Sequence, residues 1–330
     1  MQIVSRRRFI SISAAAAGMS LASLGRAAAS DADVVVWRGR MLGAVATIDI
    51  RHHDRSATER LISSACAEAR RLERLFSLYL DDSALVELNR TGILVDPAAE
   101  MVELLSISQH YSELTGGLFD VTVQPLWKAY ADHFSREGAD SAGPPAAAIQ
   151  AALARVGYGR LAVRRDRIAM PRGMAVTLNG IAQGYVTDKV VDLLRAHGMD
   201  HSIVDMGEAR AIGSRPDSRP WEVGIADPER PDRIPTVLPV VDRAVSTSGG
   251  YGFRFDPQGR FNHLFEPASG VCGHLYRSVT AVGATATAAD ALSTAFSMMD
   301  QERIRALMPV ADIERVHLID SAGTVLDLAA

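Results

Sequence analysis

Asp290 and Thr294 stand four residues apart in the stretch "ATAADALSTAF", Ala286 to Phe296. Alanine loses little on entering a helix, so the stretch predicts a tightly packed helix carrying both polar groups on one face. A carboxylate beside a hydroxyl has three uses there: capping a neighbour, bonding each other, or holding a hard cation. Four other stretches are odd for simple packing. "GGLFDVTVQP" (Gly116–Pro125) alternates Asp120 and Thr122 with Phe119, Val121 and Val123, the period of a strand with both polar groups on one face. "TLNGIAQGYVTDKV" (Thr177–Val190) reads as strand, glycine turn and helix. Such a turn presents backbone N–H groups at a helix N-terminus, which suits a phosphate. It is neither a P-loop nor a dinucleotide fingerprint, because the glycine spacing and the Lys-Ser/Thr pair are missing. "AVSTSGGY" (Ala244–Tyr251) runs a strand into Ser, Thr and Gly, and "FNHLFEPASG" (Phe261–Gly270) puts His263 and Glu266 near a strand end before a proline turn. There is no Gly-x-Ser-x-Gly elbow and no His-Glu-x-x-His helix, so serine hydrolases and zinc proteases drop out.

The elements that must hold these residues follow from periodicity. Thr58–Phe76 carries Leu61, Ile62, Ala65, Leu72 and Leu75 on one stripe, an amphipathic helix. Ala98–Leu114 predicts a second helix, stopped by Gly116-Gly117, and Gly180–His197 a third, ended by Gly198. Asp132–Ala148 is polar and interrupted by Gly and Pro, a surface loop. Val34–Ile50 reads as two short strands around Gly39–Gly43. Further strands are expected at Leu161–Val163, Ile168–Met170, Ala175–Leu178, His201–Met206, Trp221–Ile225, Val237–Val241, Phe261–Phe265, Ser278–Val282 and Val316–Ile319, with a helix over Gln301–Met308 stopped by Pro309. Helices and strands come in mixed runs, which favours α+β, mixed sheets with packed helices, over a doubly wound sheet. The expectation is one functional unit over residues 30–330, with a division into two lobes left open.

The chain has 330 residues, 48% hydrophobic and 22% charged, and a net charge of −4. Residues 1–29 hold Arg6, Arg7, Arg8 and Arg26 and no acid, so the body is more acidic than the whole. That argues against nucleic acid as a partner. "SRRRFI" at Ser5–Ile10, an uncharged run to Gly25 and Ala27-Ala28-Ala29 fit a twin-arginine signal peptide over residues 1–29. The run is short for a span of roughly 20 apolar residues. A periplasmic protein exported by the twin-arginine machinery is expected. Cys66 and Cys272 are too few for a cysteine metal site, and a disulfide between them is left open.

Six blocks in order, "RLFSLYLDDSALVELN", "GGLFDVTV", "LNGIAQGY", "STSGGY", "NHLFEPASG" and "SVTAVGATATAADALST", resemble the ApbE-type flavin transferases, which move FMN from FAD onto a protein threonine or serine. The likeness runs from about Arg40 to Thr294. It implies that Asp290 and Thr294, with the backbone carbonyl of Gly180, bind Mg²⁺. It also implies that Met41, Tyr79, Asp120, Gln183 and Leu264 contact FAD as substrate. His263 falls at the family's His-x-x-Asp-Pro histidine and is the candidate general base. The ligand set is chemically apt, since Mg²⁺ prefers oxygen and leaves positions for phosphates and water.

The sequence departs from the family pattern in places. Gln183 stands where the glycine turn usually has Lys, Asp205-Met206-Gly207-Glu208-Ala209 replaces Asn-x-Gly-Gly-Asp, and Glu266 and Ser269 replace Asp and Thr. With the export signal, these variants resemble the subgroup that assists nitrous-oxide reductase maturation (NosX), whose expected client is the membrane flavoprotein NosR. Two alternatives share the same residues: an FAD pyrophosphatase, and a non-catalytic periplasmic FAD-binding accessory protein.

Overall fold

The computed structural model describes residues 34–330; the expected signal over residues 1–29 lies outside them. Strands β1 (Val34–Met41) and β2 (Ala44–Arg51) form a hairpin through Leu42 and Gly43, whose φ values are +50° and +79°. Positive φ at both positions is what a tight two-residue hairpin turn requires. Helix α1 (Arg55–Phe76) starts at Asp54, whose carboxylate accepts the Ala57 N–H, and buries the expected stripe of Leu61, Ile62, Ala65 and Leu72. After α2 (Ala84–Thr91) and β3 (Ile93–Val95) comes α3 (Ala99–Leu114), ended as expected by Gly116 and Gly117 at φ +62° and +84°.

Then follow α4 (Gln124–Phe134), α5 (Ala146–Leu153), β4 (Ala162–Val163), β5 (Arg167–Ala169) and α6 (Ala182–Ala196). The second half is β6 (Ser202–Asp205), β7 (Ala209–Ile212), β8 (Trp221–Ile225), β9 (Thr236–Val240), β10 (Ala244–Ser248), β11 (Tyr276–Gly283), α7 (Ala286–Phe296), α8 (Gln301–Leu307), β12 (Ile313–Asp320) and β13 (Val325–Ala329). The fold is α+β. An eight-stranded sheet in the order β1-β2-β6-β7-β10-β11-β12-β13 is antiparallel throughout.

The helix-side face of this sheet buries Ile48, Val204, Val279, Ala281, Val316 and Leu318 against α1, α6 and α7, the main core. Its other face packs Ile203, Ala211, Val245 and Val282 on the β8–β9 pair, which adds Trp221, Val223 and Leu238. A third, aromatic cluster joins α4 and α5 to Phe255, Phe261 and Phe265. Both cysteines are buried and unpaired. Among the described residues no helix is long and apolar enough to cross a membrane.

Three expected strands are not strands. In Gly116–Pro125, Asp120 Oδ1 accepts both the backbone N–H (2.7 Å) and the hydroxyl (2.6 Å) of Thr122. That side-chain turn competes with a ladder, and the segment folds into turns that lead into α4. Ala175–Leu178 pairs instead with a side chain: Asn89 receives the Val176 N–H at 2.7 Å and donates to the Val176 carbonyl at 2.8 Å. Phe261–Phe265 makes only isolated bridges, Asn262 with Arg254 and Phe265 with Cys272. Its Asn262 amide is spent on Leu264 N–H and Gly273 carbonyl. The polar stretch Asp132–Ala148 is irregular only from Ser135 to Pro145, between α4 and α5.

Candidate functional site

A cleft of about 370 Å³ lies among the hairpin turn at Leu42–Gly43, the N-terminus of α6, the end of β10 and the segment around His263. That volume is within the range of small-molecule sites. Tyr79, Asp120, Gly180, Gln183, His263, Leu264, Asp290 and Thr294 all line it. Met41 does not; it is 2% exposed in the main core, and the next residues, Leu42 and Gly43, line the cleft instead.

One corner is built by α6 and α7. The helices meet at Gly184, where a Cβ would sit 2.3 Å from the Ala286 carbonyl oxygen, so only glycine allows the approach. Each helix finishes the other. Asp188 of α6 accepts the Ala286 and Thr287 N–H groups at 2.9 Å each and the Thr287 hydroxyl at 2.6 Å. In return Asp290 Oδ2 of α7 accepts the Gly184 N–H at 3.0 Å. Carboxylates at helix N-termini satisfy donors that have no partner within the helix. Arg210 of β7 neutralises Asp188 at 2.6 Å, with both side chains buried. Asp290 Oδ1 has no protein partner among the described residues. Thr294, one turn further, presents Oγ1 to Gly180, whose hypothetical Cβ would lie 3.1 Å away.

The corner is acidic and sheltered. Burial pushes the Asp290 carboxyl up to about 7, with the Asp188 charge adding and the Gly184 N–H opposing. Burial, then the Asp290 charge, hold Glu208 well above the usual carboxylate range, and burial lifts Asp205 to about 6. A cation would favour the ionised forms of all three.

His263 Nδ1 lies 3.3 Å from the Phe253 carbonyl. A proton on Nδ1 donates there and leaves the Nε2 lone pair for a substrate proton. Burial lowers the His263 pKa, which favours the neutral ring a base needs. Asp120 has less to offer a ligand than expected, because Oδ1 serves Thr122 and Oδ2 accepts the Tyr158 N–H at 3.0 Å. Its first role is to fold the cleft wall. Tyr79 is 49% exposed, and its hydroxyl accepts from Asn179 Nδ2 at 3.3 Å. Gln183 Nε2 is buried with no hydrogen-bond partner among the described residues and packs against Gly207, whose φ is +115°. A buried amide donor left unpaired costs about 1–3 kcal/mol, so a ligand acceptor belongs opposite it.

Glu208, Ser246, Ser248 and Ser293 stand in stretches that are conspicuous in the sequence, but none is assigned a role in the site by sequence reasoning. Glu208 and Ser248 line the cleft, and Ser246 and Ser293 are fully buried beside it. The clearest signal was Ser293, which stands beside Asp290 and Thr294 as a further polar residue in a helix rich in alanine.

The profile of the ApbE family matches residues 42–316. The chain belongs to the ApbE family. Among its curated relatives, the FAD:protein FMN transferase of Treponema pallidum is 32% identical over 260 residues, 72% of this chain and 70% of that one. The enzyme of the same name from Klebsiella pneumoniae is 28% identical over 279 residues, 81% and 79% of the two chains. The crystal structure of Pseudomonas stutzeri flavinyl transferase ApbE in its apo form superposes with a TM-score of 0.76 at 28% identity, covering 90% of this chain and 94% of that one. The ApbE protein of Thermotoga maritima shares the fold at a TM-score of 0.79.

The corner fits a hard divalent cation by its donor set. The Asp290 carboxylate, the Thr294 hydroxyl and the Gly180 turn supply only oxygen, without the nitrogen or sulfur that zinc favours. Among the described residues no three His, Cys, Asp or Glu side chains are grouped to hold a metal by themselves. The protein would therefore contribute a partial shell, as Mg²⁺ sites that also use substrate phosphates do.

Proposed function

We propose that the protein transfers FMN from FAD to a threonine or serine hydroxyl of a target protein and releases AMP. The observation that carries this reading is the all-oxygen corner at Asp290, Thr294 and Gly180 sharing one cleft with a neutral His263. The acceptor hydroxyl attacks the phosphorus on the FMN side, the bond from that phosphorus to the AMP oxygen breaks, and the hydroxyl proton passes to His263 Nε2. Mg²⁺, when bound at the corner, offsets charge on the phosphate oxygens. The chain orients FAD with the first turn of α6, the Gln183 amide, Leu264 and Tyr79.

The export signal and the variants at Gln183 and Asp205–Ala209 support a periplasmic enzyme serving a NosR-like membrane flavoprotein, reached through the twin-arginine machinery.

The test is incubation of the mature protein with FAD, Mg²⁺ and an acceptor fragment bearing a threonine, read by acceptor mass and AMP release. An FMN-sized gain that EDTA and His263→Ala abolish is the expected result. Asp290→Ala should reduce transfer about a hundredfold or more. AMP without acceptor modification would mean a pyrophosphatase, and bound FAD with neither product would mean a carrier.

A further inference from the structure

A line of hydroxyls starts at Thr294 and runs away from the cleft. Thr294 Oγ1 lies 3.3 Å from Ser248 Oγ, which lies 2.7 Å from Ser293 Oγ, which lies 3.2 Å from Ser246 Oγ. The Ser246 hydroxyl in turn bonds the Glu208 carboxyl, which also accepts the Thr247 N–H. Two elements supply the line. Ser246 and Ser248 are two residues apart on β10 and share the sheet face that meets α7, while Ser293 and Thr294 come from α7 itself. Ser293 is 0% exposed and Ser246 1%. At such a helix–sheet contact alanine would pack as well, and an unpaired buried hydroxyl would cost about 1–3 kcal/mol. These hydroxyls avoid that cost by bonding one another, the Glu208 carboxyl and the Asp290 carbonyl.

We propose that Ser248 and Ser293, backed by Ser246 and Glu208, form a one-way relay that draws the Thr294 proton into the interior and so sets Thr294 Oγ1 as a lone-pair donor to the divalent cation. They are positioning residues, and the proposal rests on the cation reading given above. The direction follows from counting donors. A hydroxyl has one proton and can accept as well, so a chain ending on an acceptor runs one way. A carboxyl that keeps its proton can also donate to Ser246, so the acceptor that fixes the direction is the Asp290 carbonyl, which only accepts. It lies 3.0 Å from Ser293 Oγ. With the Ser293 proton on that carbonyl, Ser293 receives from Ser248, and Ser248 from Thr294. The far side of Thr294 Oγ1 is then left to the Gly180 turn and the cleft. Unoriented, the same hydroxyl could direct its proton at the cation and repel it. Residues that orient a ligand in this way typically change metal affinity about 10–100-fold.

The experiment titrates Mn²⁺, read by electron paramagnetic resonance, into the protein with FAD present and no acceptor. Wild type should bind and Asp290→Ala should not. Ser248→Ala and Ser293→Ala should each weaken Mn²⁺ about 10–100-fold, with the metal-free melting temperature and FAD fluorescence titration unchanged. Ser248→Thr, which keeps the hydroxyl, should bind within about threefold of wild type. If both alanine variants bind Mn²⁺ like wild type while Asp290→Ala does not, the relay is wrong and the cation site stands. If Ser248→Thr weakens binding as much as Ser248→Ala and both lower the metal-free melting temperature, the role is packing and the relay is overturned. If wild type fails to bind, or Asp290→Ala binds equally well, the cation site itself is wrong and the relay falls with it.

Discussion

At Asp290 the two carboxylate oxygens meet different demands: Oδ2 takes the Gly184 N–H at 3.0 Å, and Oδ1 is left for the cleft. Because burial holds this carboxyl near 7, a cation binding below that pH must first displace a proton. Mg²⁺ affinity should therefore weaken about tenfold per pH unit below about 7 and level off above it. Calorimetry at pH 6, 7 and 8 in buffers of different ionisation enthalpy should show close to one proton released at pH 6 and far less at pH 8. A dissociation constant flat across that window would remove Asp290 from the ligand set. At this scale much was legible in the sequence. A carboxylate and a hydroxyl four apart on an alanine helix have few uses, and the blocks resembling the family narrowed them. The strand expected around Asp120 did not form because an alternation of polar and apolar residues also results when a side chain folds a turn onto itself, as Thr122 shows. For Met41, the hairpin turn decides which side chain borders the cleft, and here Leu42 does while Met41 is buried next to it.

At the scale of elements, the joint between α6 and α7 decides where Asp290 sits. Asp188 carries four hydrogen bonds there, from Ala286, from both donors of Thr287 and from Arg210. Asp188→Ala leaves Arg210 buried without its partner, a change that costs about 3–5 kcal/mol. At roughly 2–4 °C per kcal/mol, calorimetry should record a loss of at least several degrees, together with weaker Mg²⁺ binding as the start of α7 frays. An unchanged melting temperature would show that the joint is not held this way. The long helices were legible from their apolar stripes and glycine stops. The short β7 was not: Arg210 in its middle breaks any strand pattern, and only Asp188, 22 residues earlier in the chain, explains its burial. Helices α2 and α5 and strand β13 escaped for a related reason, being too short for periodicity to separate from a loop.

Across the whole molecule, the cleft draws on short segments spread from Leu42 to Met298, so its walls meet only when distant parts of the chain are folded together. A ligand that binds only when all these walls are assembled stabilises the entire fold. FAD at a hundred times its dissociation constant should add about 2.7 kcal/mol, seen as a melting temperature that rises with FAD concentration, and rises further when Mg²⁺ is added. A melting temperature indifferent to FAD would show that the folded chain does not bind flavin appreciably. The α+β class was legible from the mixed order of helices and strands. The sheet order was not, because β2 pairs with β6 across the whole run from α1 to α6, and β7 pairs with β10 across the β8–β9 pair of a different sheet.

The exchange of carboxylates between α6 and α7 also bears on how related chains should be judged. Asp290 finishes α6 whether or not a cation is present, so folding alone is reason for a chain to retain it after the chemistry has been lost. An aspartate at that position is therefore poor evidence of a working enzyme. Among the described residues Thr294 caps no helix, and its hydroxyl meets Ser248, the Gly180 turn and the cleft. On the proposed cation reading, that hydroxyl is free to drift in an inactive descendant, and its loss would mark a carrier that has kept only the fold.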